Sequence, residues 1–249
     1  MKQGEPASTG IAEWRPSIRV IRLAPKSGLM SSEYIEEADV PKLFSTGKSG
    51  RRISLVFGKA RPIKMGMPLK LDLQLARVCG MMPDGSLSKC LSGVSFCQGK
   101  DRKKVVEFGE ILKERFDVSP RYYHMERYDV VSIGNKSLCA FLHLCLDVHK
   151  SDEPARIPGW IKNSSLDILR EYLRYAFAME GSVCDPRKGG KEIKFHSCDK
   201  SFVMEIRDVI LARFGIASHI QEYTIKGYGK KYYLSITGKD NILKFAEIG

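Results

Sequence analysis

An internal repeat constrains the fold of this chain more than any other feature. A helix-like apolar stretch followed by an acid, a glycine and a serine occurs twice, and the acids Asp84 and Glu180 lie 180 − 84 = 96 residues apart. The correspondence continues downstream, where Phe96 aligns with Phe195. A fixed period of this kind predicts two copies of one structural unit. Further aligned pairs are Phe116 with Phe214 and Lys136 with Lys239.

Each copy has the pattern of helix, two strands, helix, two strands and helix. In the first copy Val105, Phe108, Leu112 and Phe116 recur at helical spacing, and short alternating segments on either side predict the strands. Ser165 is a candidate N-cap for the helix that carries the second acid. We predict four regions: an N-terminal extension of unknown structure over 1–67, a first unit over 68–150, a linker over 151–165 and a second unit over 166–249.

Both acids stand at the C-terminal end of a predicted helix, which is an unfavourable position for a carboxylate. The negative end of the helix dipole disfavours an anion there by a few tenths to about 1 kcal/mol. An ordinary explanation exists for a single copy, since glycine often follows a helix and Asp-Gly often forms a hairpin turn. Because both copies keep an acid, a bound cation that reverses the local electrostatics is the better explanation.

The N-terminal region is less informative. Residues 13–25 predict a strand and residues 31–44 a short helix, and the basic stretch over 51–64 is a candidate DNA-contacting arm. A Gly-Lys-Ser sequence over 47–49 lacks the preceding glycine of a phosphate-binding loop, since Lys42 stands there, so we expect no nucleotide site.

Charge and cysteine content narrow the partners. The net charge of +12 and pI of about 9.3 favour a polyanion such as nucleic acid, although an ordinary basic protein is the alternative. The seven cysteines lack paired spacings, which favours a reduced, cytoplasmic compartment and argues against structural zinc. Without a long apolar run or a signal-like N-terminus, we expect no membrane association.

At the two repeated motifs the chain resembles the LAGLIDADG homing endonucleases in their single-chain, two-motif form. Arg77–Gly85 and Leu173–Gly181 stand where the nine-residue signature stands, and the resemblance extends from Leu69 to the C-terminus. It implies an α+β fold of two pseudo-symmetric αββαββα units, whose antiparallel sheets form a saddle over the DNA major groove. It also implies a monomer that cleaves both strands of double-stranded DNA, as the product of an intron or of a free-standing gene.

The resemblance also implies a catalytic site. Asp84 and Glu180 would meet beside the scissile phosphates and hold Mg²⁺, or Mn²⁺ or Ca²⁺ in its place; divalent cations would cancel the repulsion between the two carboxylates. Gln98 would order solvent near the metals, Arg102 would help to stabilise the phosphate, and Lys150 would be the basic residue that follows the last helix of the unit. The alternative for Arg102 and Lys150 is a solvated surface charge.

Some residues depart from the family pattern. Tyr175, Met179 and Pro83 are larger than the residues expected where the two motif helices meet, and Pro83 is expected to push Met82 away from helical dihedrals, so that its helix ends early. Glu180 replaces the commoner aspartate. Retention of both acids favours the enzyme. The unusual residues where the helices meet, and the lack of a lysine in the second unit that matches Lys150, favour the alternative function, a DNA- or RNA-binding relative that has lost cleavage and serves as a maturase or regulator.

Strand parity predicts the DNA face, because alternate residues of a strand point to opposite sides of its sheet. Residues of suitable types can contact base edges or phosphates there, although the polar side of a half-covered sheet is the alternative for each of them. The candidates are Arg121, Tyr123, Arg127, Arg187, Lys188, Lys194, His196, Gln221, Tyr223, Lys231, Tyr233 and Ser235.

Overall fold

The computed structural model describes residues 33–49, 52–99, 102–184, 191–225, 227 and 229–249. The predicted strand over 13–25 and the candidate DNA contacts Arg187 and Lys188 lie outside these residues. No helix in the described ranges is long and apolar enough to cross a membrane.

The described part of the N-terminal extension is mainly β structure. The short helix predicted over 31–44 is wrong in its extent: a single 3-10 turn, Glu37–Asp39, follows the first strand. The Gly-Lys-Ser sequence over 47–49 lies at the end of a hairpin strand. It does not form the loop before a helix that a phosphate-binding loop requires. The strands are β1 (Tyr34–Ile35), β2 (Phe44–Ser49), β3 (Arg52–Phe57), β4 (Ile63–Met65) and β5 (Leu69–Lys70).

The two units have the same element order. The first contains α1 (Leu73–Met81), β6 (Gly85–Leu87), β7 (Val94–Gln98), α2 (Arg102–Phe116), β8 (Arg121–His124), β9 (Asp129–Ile133) and α3 (Lys136–Leu144). A short helix, α4 (Gly159–Lys162), lies in the linker. The second unit contains α5 (Leu166–Glu180), β10 (Gly181–Val183), β11 (Glu192–Ser197), α6 (Lys200–Phe214), β12 (His219–Ile225), β13 (Gly229–Thr237) and α7 (Lys239–Ala246).

The sheets repeat their strand order and register. The first unit orders its strands β6-β7-β9-β8 and the second β10-β11-β13-β12, with neighbouring strands antiparallel in both. Gly85 pairs with Phe96 in one and Gly181 with Phe195 in the other. The fold is therefore the predicted α+β arrangement of two pseudo-symmetric units. The division into four regions with the stated boundaries stays a prediction.

Pro83 ends the α-helix α1 early, and the backbone continues as a 3-10 turn. The α-helix ends at Met81 as expected, and a 3-10 turn, Met82–Asp84, carries the backbone on to the acid. Met82 keeps helical dihedrals, with φ −65° and ψ −21°, so the expectation that proline displaces them is wrong. Pro83 stands in the first turn of this 3-10 segment, where a residue without an N–H is tolerated.

Helices α1 and α5 pack against each other at Gly80, a residue without a side chain. A Cβ at Gly80 would lie 2.6 Å from the Tyr172 carbonyl oxygen and 2.8 Å from the Tyr175 Cβ. The large Tyr175 is thus accommodated by Gly80 opposite it, and its hydroxyl donates to Glu107 of α2 at 2.6 Å. One glycine therefore sets how closely the two helices approach.

We expect Gly80→Ala to lower stability by about 1–3 kcal/mol, the usual cost of overpacking, despite the better helix propensity of alanine. The measurement is a chemical denaturation curve. Gly66→Ala is the matched control, because a Cβ at Gly66 meets nothing within 4 Å. Equal stability of the two variants would show that the helices have room to separate.

The linker is fastened to both units by carboxylates. Asp147 of the first unit accepts from Arg156 at 2.9 Å and from the Gly159 backbone N–H at 3.0 Å. Asp199 and Glu205 of the second unit accept from the backbone N–H groups of residues 155 and 157. Ser165 is the N-cap of α5 as predicted, but its side chain makes no capping hydrogen bond.

Candidate functional site

The two acids meet where α1 and α5 end. Asp84 closes the 3-10 turn after α1, and Glu180 is the last residue of α5; in each unit the next residue is the glycine that begins the first strand. Their carboxyl groups are hydrogen-bonded to each other. Because the helices pack side by side, the repeat brings two residues 96 positions apart into direct contact.

Burial dominates the electrostatics of this pair. It raises the pKa of Glu180 to about 8, with further increases from the Asp84 charge and the hydrogen bond to it, while Lys231 opposes the shift. Burial also raises the pKa of Asp84, although hydrogen bonds from Glu180 and Gln98 act in the other direction. The two buried carboxyl groups therefore retain a proton to higher pH than two separate carboxylates would.

Gln98, at the end of β7, is fixed against the first acid. Its Nε2 donates to Asp84 Oδ2 at 2.6 Å and lies 3.2 Å from the Met179 sulfur of α5. Met179, large for the helix interface, thus helps to hold the amide. The corresponding residue of the second unit is Ser197, whose hydroxyl instead accepts from the Asp199 backbone N–H at 3.1 Å, so the site is asymmetric.

Two further predicted catalytic residues are not in contact with the acids. Arg102 begins α2, is exposed and borders an open cleft of about 450 Å³ with Lys103 and Glu107. Lys150 pairs with Glu153 at 3.1 Å. Within the described ranges neither side chain makes a hydrogen bond or ion pair to Asp84 or Glu180. The sequence did not indicate that Lys150 would pair with Glu153.

Lys231 on β13 has an environment that the sequence analysis missed. It was predicted as a DNA contact, yet it lies close enough to Glu180 to lower that acid's pKa, and its Nζ is 2.5 Å from the Cys198 sulfur. Since Ser197 pairs with Tyr232, the next cross-strand neighbours beyond β11 are Cys198 and Lys231. Only the β11–β13 register could have revealed this proximity.

The donor set suits a hard divalent cation. Two carboxylates and a nearby amide are oxygen-bearing groups of the kind that Mg²⁺ and Mn²⁺ bind. Among the described residues no cluster of three or more His, Cys, Asp or Glu could hold a metal alone. Mg²⁺ commonly binds through one or two carboxylates and completes its shell with water and phosphate oxygens, so the residues present fit such an ion.

The second sheet carries an aromatic group on its predicted DNA face. His196, Tyr223 and Tyr233 lie with ring centroids 5.6 to 6.4 Å apart, and the Tyr233 hydroxyl donates to Gln221. Lys194 stands 4.6 Å over the Tyr233 ring. The interactions fix these side chains before any ligand binds.

Ser235 corrects one of the predictions. Parity puts it on the same face, opposite Lys194, but it is fully buried and its hydroxyl donates to Glu192. A long acid on the neighbouring strand covers the small serine. Ser235 is therefore not available to contact DNA in this structure.

The first sheet presents its candidates more openly. Tyr122 turns toward α2, where its hydroxyl donates to Glu110 at 3.2 Å, so Arg121 and Tyr123 of the same strand face the other way. Both are exposed, as is Arg127 in the turn between β8 and β9. The two predicted DNA faces thus differ in chemistry: exposed cations and an exposed tyrosine in one unit, a connected aromatic group in the other.

A comparison with protein-family models shows which family the second unit resembles. The family model described as the LAGLIDADG-like domain matches residues 167–248. The second unit therefore matches the LAGLIDADG-like domain over nearly its whole length. Together with the repeated element order, this match confirms the resemblance that the two motifs predict.

A solved homing endonuclease structure shares the fold. The homing endonuclease I-DmoI in complex with DNA and Mn is 13% identical, with a TM-score of 0.51, covering 71% of this chain and 96% of that one. The N-terminal LAGLIDADG domain of DUF199/WhiA is 15% identical, with a TM-score of 0.47 and coverage of 71% and 81%. At these identities the likeness to I-DmoI shows the fold alone.

A curated protein matches over a shorter stretch. The tRNA-splicing ligase RtcB of Pyrococcus abyssi (strain GE5 / Orsay) is 34% identical over 107 residues, which cover 39% of this chain. The aligned segment is 12% of the ligase, so this chain corresponds to a small part of it.

Proposed function

We propose that this LAGLIDADG protein is a divalent-metal-dependent DNA endonuclease that binds double-stranded DNA as a monomer and hydrolyses a phosphodiester bond on each strand. The observation that carries the proposal is the contact between Asp84 and Glu180 at the ends of two adjacent helices, with Gln98 held against Asp84. Oxygen donors at the centre of a two-fold arrangement suit two strands related by the same symmetry.

The residues have separable roles in this mechanism. Asp84 and Glu180 would hold the cations, and Glu180 must first release the proton that it shares with Asp84. Gln98 would orient Asp84 and ordered solvent, and Lys231 would favour the ionised form of Glu180. When bound, a divalent cation supplies an activated water and stabilises the leaving oxygen. Of the other predicted residues, Arg102 stays a proposed phosphate contact and Lys150 a weaker one.

The comparisons support the proposal at the level of fold and metal type. I-DmoI is named as a homing endonuclease, and structures of it were solved with DNA and Mn, or in the presence of 2 mM Mg in one variant. We extend DNA binding, Mg²⁺ use and hydrolysis from that protein to this one as proposals, with an intron-encoded or free-standing gene as its source.

A selection experiment tests the activity. The protein is incubated with a randomised duplex library and Mg²⁺, and cleaved molecules are sequenced; recovery of one enriched site cut on both strands is the expected result. Identical libraries with EDTA give the background. No enrichment over this background would reject site-specific cleavage.

A DNA- or RNA-binding relative without cleavage, acting as a maturase or regulator, is the second candidate. One observation favours it: Ser197 of the second unit accepts from the Asp199 backbone N–H, whereas the corresponding Gln98 of the first unit donates to Asp84. This candidate predicts specific binding in the absence of any cut product, whereas the endonuclease predicts both.

Binding to duplex DNA should depend strongly on salt, because a basic surface releases condensed counterions. We expect affinity to fall by at least about a thousandfold between 50 and 200 mM salt, as six or more phosphate contacts imply. Fluorescence anisotropy with a labelled 40-bp duplex measures it. A flat response, with no binding at low ionic strength, would contradict a nucleic-acid function altogether.

A further inference from the structure

The positive charge of the chain is concentrated in the N-terminal extension. Within the extension, residues 41–67 contain seven lysines and arginines and no acid, in a chain whose net charge is +12. Neither the family match nor the structural resemblance to the motif units accounts for this segment, which precedes the first acid-bearing helix. Its placement on the first unit therefore decides what the charge can do.

The sheet β2-β3-β4 docks on the first unit through aromatic contacts. Phe57 lies 5.5 Å from Phe44, which lies 6.4 Å from Phe141 of α3, measured between ring centroids. The Phe57 backbone N–H donates to Ser137 Oγ at 3.0 Å, and Asn135 Nδ2 donates to the Pro62 carbonyl at 3.4 Å. One end of the sheet is thus tied to the N-terminus of α3.

Four exposed cations surround this junction, which we call the flank cluster: Lys42, Lys59, Arg61 and Lys136. Lys42 and Lys59 each lie two residues from the paired phenylalanines, and Arg61 precedes the proline that contacts Asn135. Lys136 Nζ lies 5.9 Å from the centre of the Phe57 ring. None of the four has an acidic partner among the described residues, unlike Lys64, which pairs with Asp117.

The position of the flank cluster relative to the acids indicates its ligand. Strand β9 begins at Asp129, opposite Gln98 and hence beside Asp84, and ends at Ile133 just before the cluster. Four residues of strand extend about 13 Å. A duplex that passes the acids and follows the first sheet outward would reach the cluster next. Buried Phe44 and partly buried Phe57 offer no exposed ring for base stacking, so the cluster suits phosphates.

We propose that the flank cluster binds the phosphate backbone of the duplex outside the half-site covered by the first sheet. This inference rests on the proposed DNA binding but not on cleavage. It gives the complex a footprint that is longer on the side of the first unit, and it adds affinity without sequence preference, because phosphate contacts carry no base information.

The test is the triple variant Lys42→Gln, Lys59→Gln, Arg61→Gln in the full chain, with a random-sequence 40-bp duplex as the probe. Each lost phosphate contact reduces the slope of log affinity against log salt by about 0.9, so we expect a reduction of about two to three. The control variant Lys113→Gln, Arg207→Gln, Lys244→Gln removes equal charge from helices and should change the slope by less than one. Thermal melting verifies that both variants fold.

A second readout locates the contact. On a duplex recovered from the cleavage selection, hydroxyl-radical protection by the parent should extend several base pairs further on one side, and the triple variant should lose protection on that side alone. Equal slopes for the triple variant and parent, or equal losses in both variants, would overturn the proposal. If the protein binds DNA but does not cleave it, the salt slope still tests the flank cluster. If it binds no duplex, both the proposed function and the flank-cluster proposal are overturned.

Discussion

Replacing either acid by its amide, Asp84→Asn or Glu180→Gln, should abolish cleavage while DNA binding persists. Loss of a carboxylate ligand removes several kcal/mol of cation binding and charge stabilisation, so we expect at least about a thousandfold loss in single-turnover rate with Mg²⁺. The amides keep the size of the side chains, and Glu180→Gln resembles the protonated acid already present. Metal-free stability should therefore be unchanged in Glu180→Gln, and unchanged or higher in Asp84→Asn, where an anion leaves the negative end of a helix dipole.

A structural role for the acids would give the opposite pattern, with stability lost and any cleavage retained. Cys97→Ser is a useful control, because this exposed residue lies near Asp84 yet offers no carboxylate. Parent-like cleavage by both amide variants would refute the proposed site, and normal binding with no cleavage even by the parent protein would favour the non-cleaving relative.

Metal-free stability should fall as the pH rises through the neutral range. Folding raises the pKa of Glu180 from 4.5 to about 8. The folded state therefore binds the proton more tightly, and the stabilisation, complete below the unfolded pKa, is lost as the pH approaches 8. After allowance for partial solvent exposure, we expect a loss of about 2–3 kcal/mol between pH 5 and 9 in EDTA.

Denaturation curves at several pH values measure this loss, and the difference between the parent protein and Glu180→Gln isolates it from other titrating groups. Mg²⁺ should restore stability at pH 9, because the ion binds the doubly ionised pair. A parent protein that loses no more stability than Glu180→Gln would contradict the raised pKa of Glu180. A parent protein that gains no stability from Mg²⁺ would show that the carboxyl pair is not a metal site.

The repeat made most of the fold predictable. Phe116 with Phe214 and Lys136 with Lys239 end and begin equivalent helices, because one hydrophobic pattern was duplicated and its period survives divergence. The contact between Asp84 and Glu180 followed from the same symmetry. Local rules were weaker: Met82 kept helical dihedrals before proline because a 3-10 turn satisfied the backbone.

Contacts that depend on register and on neighbouring side chains could not be predicted. Strand parity placed Ser235 on the correct face but could not show that Glu192 covers it. The partner of Lys150 lies three residues away in an irregular segment, where periodicity gives no direction. The extension has no repeat to compare with, and its sheet is positioned by long-range aromatic contacts to α3.

The carboxylates that hold the linker make the two halves thermodynamically dependent on each other. Unfolding the second unit would remove Asp199 and Glu205 and leave linker backbone donors without partners, while unfolding the first would remove Asp147. Unfolding of either unit would also expose the face of α1 or α5 that packs at Gly80 in the intact protein. We therefore expect the duplicated chain to unfold as one cooperative unit, with neither half stable as an independent module.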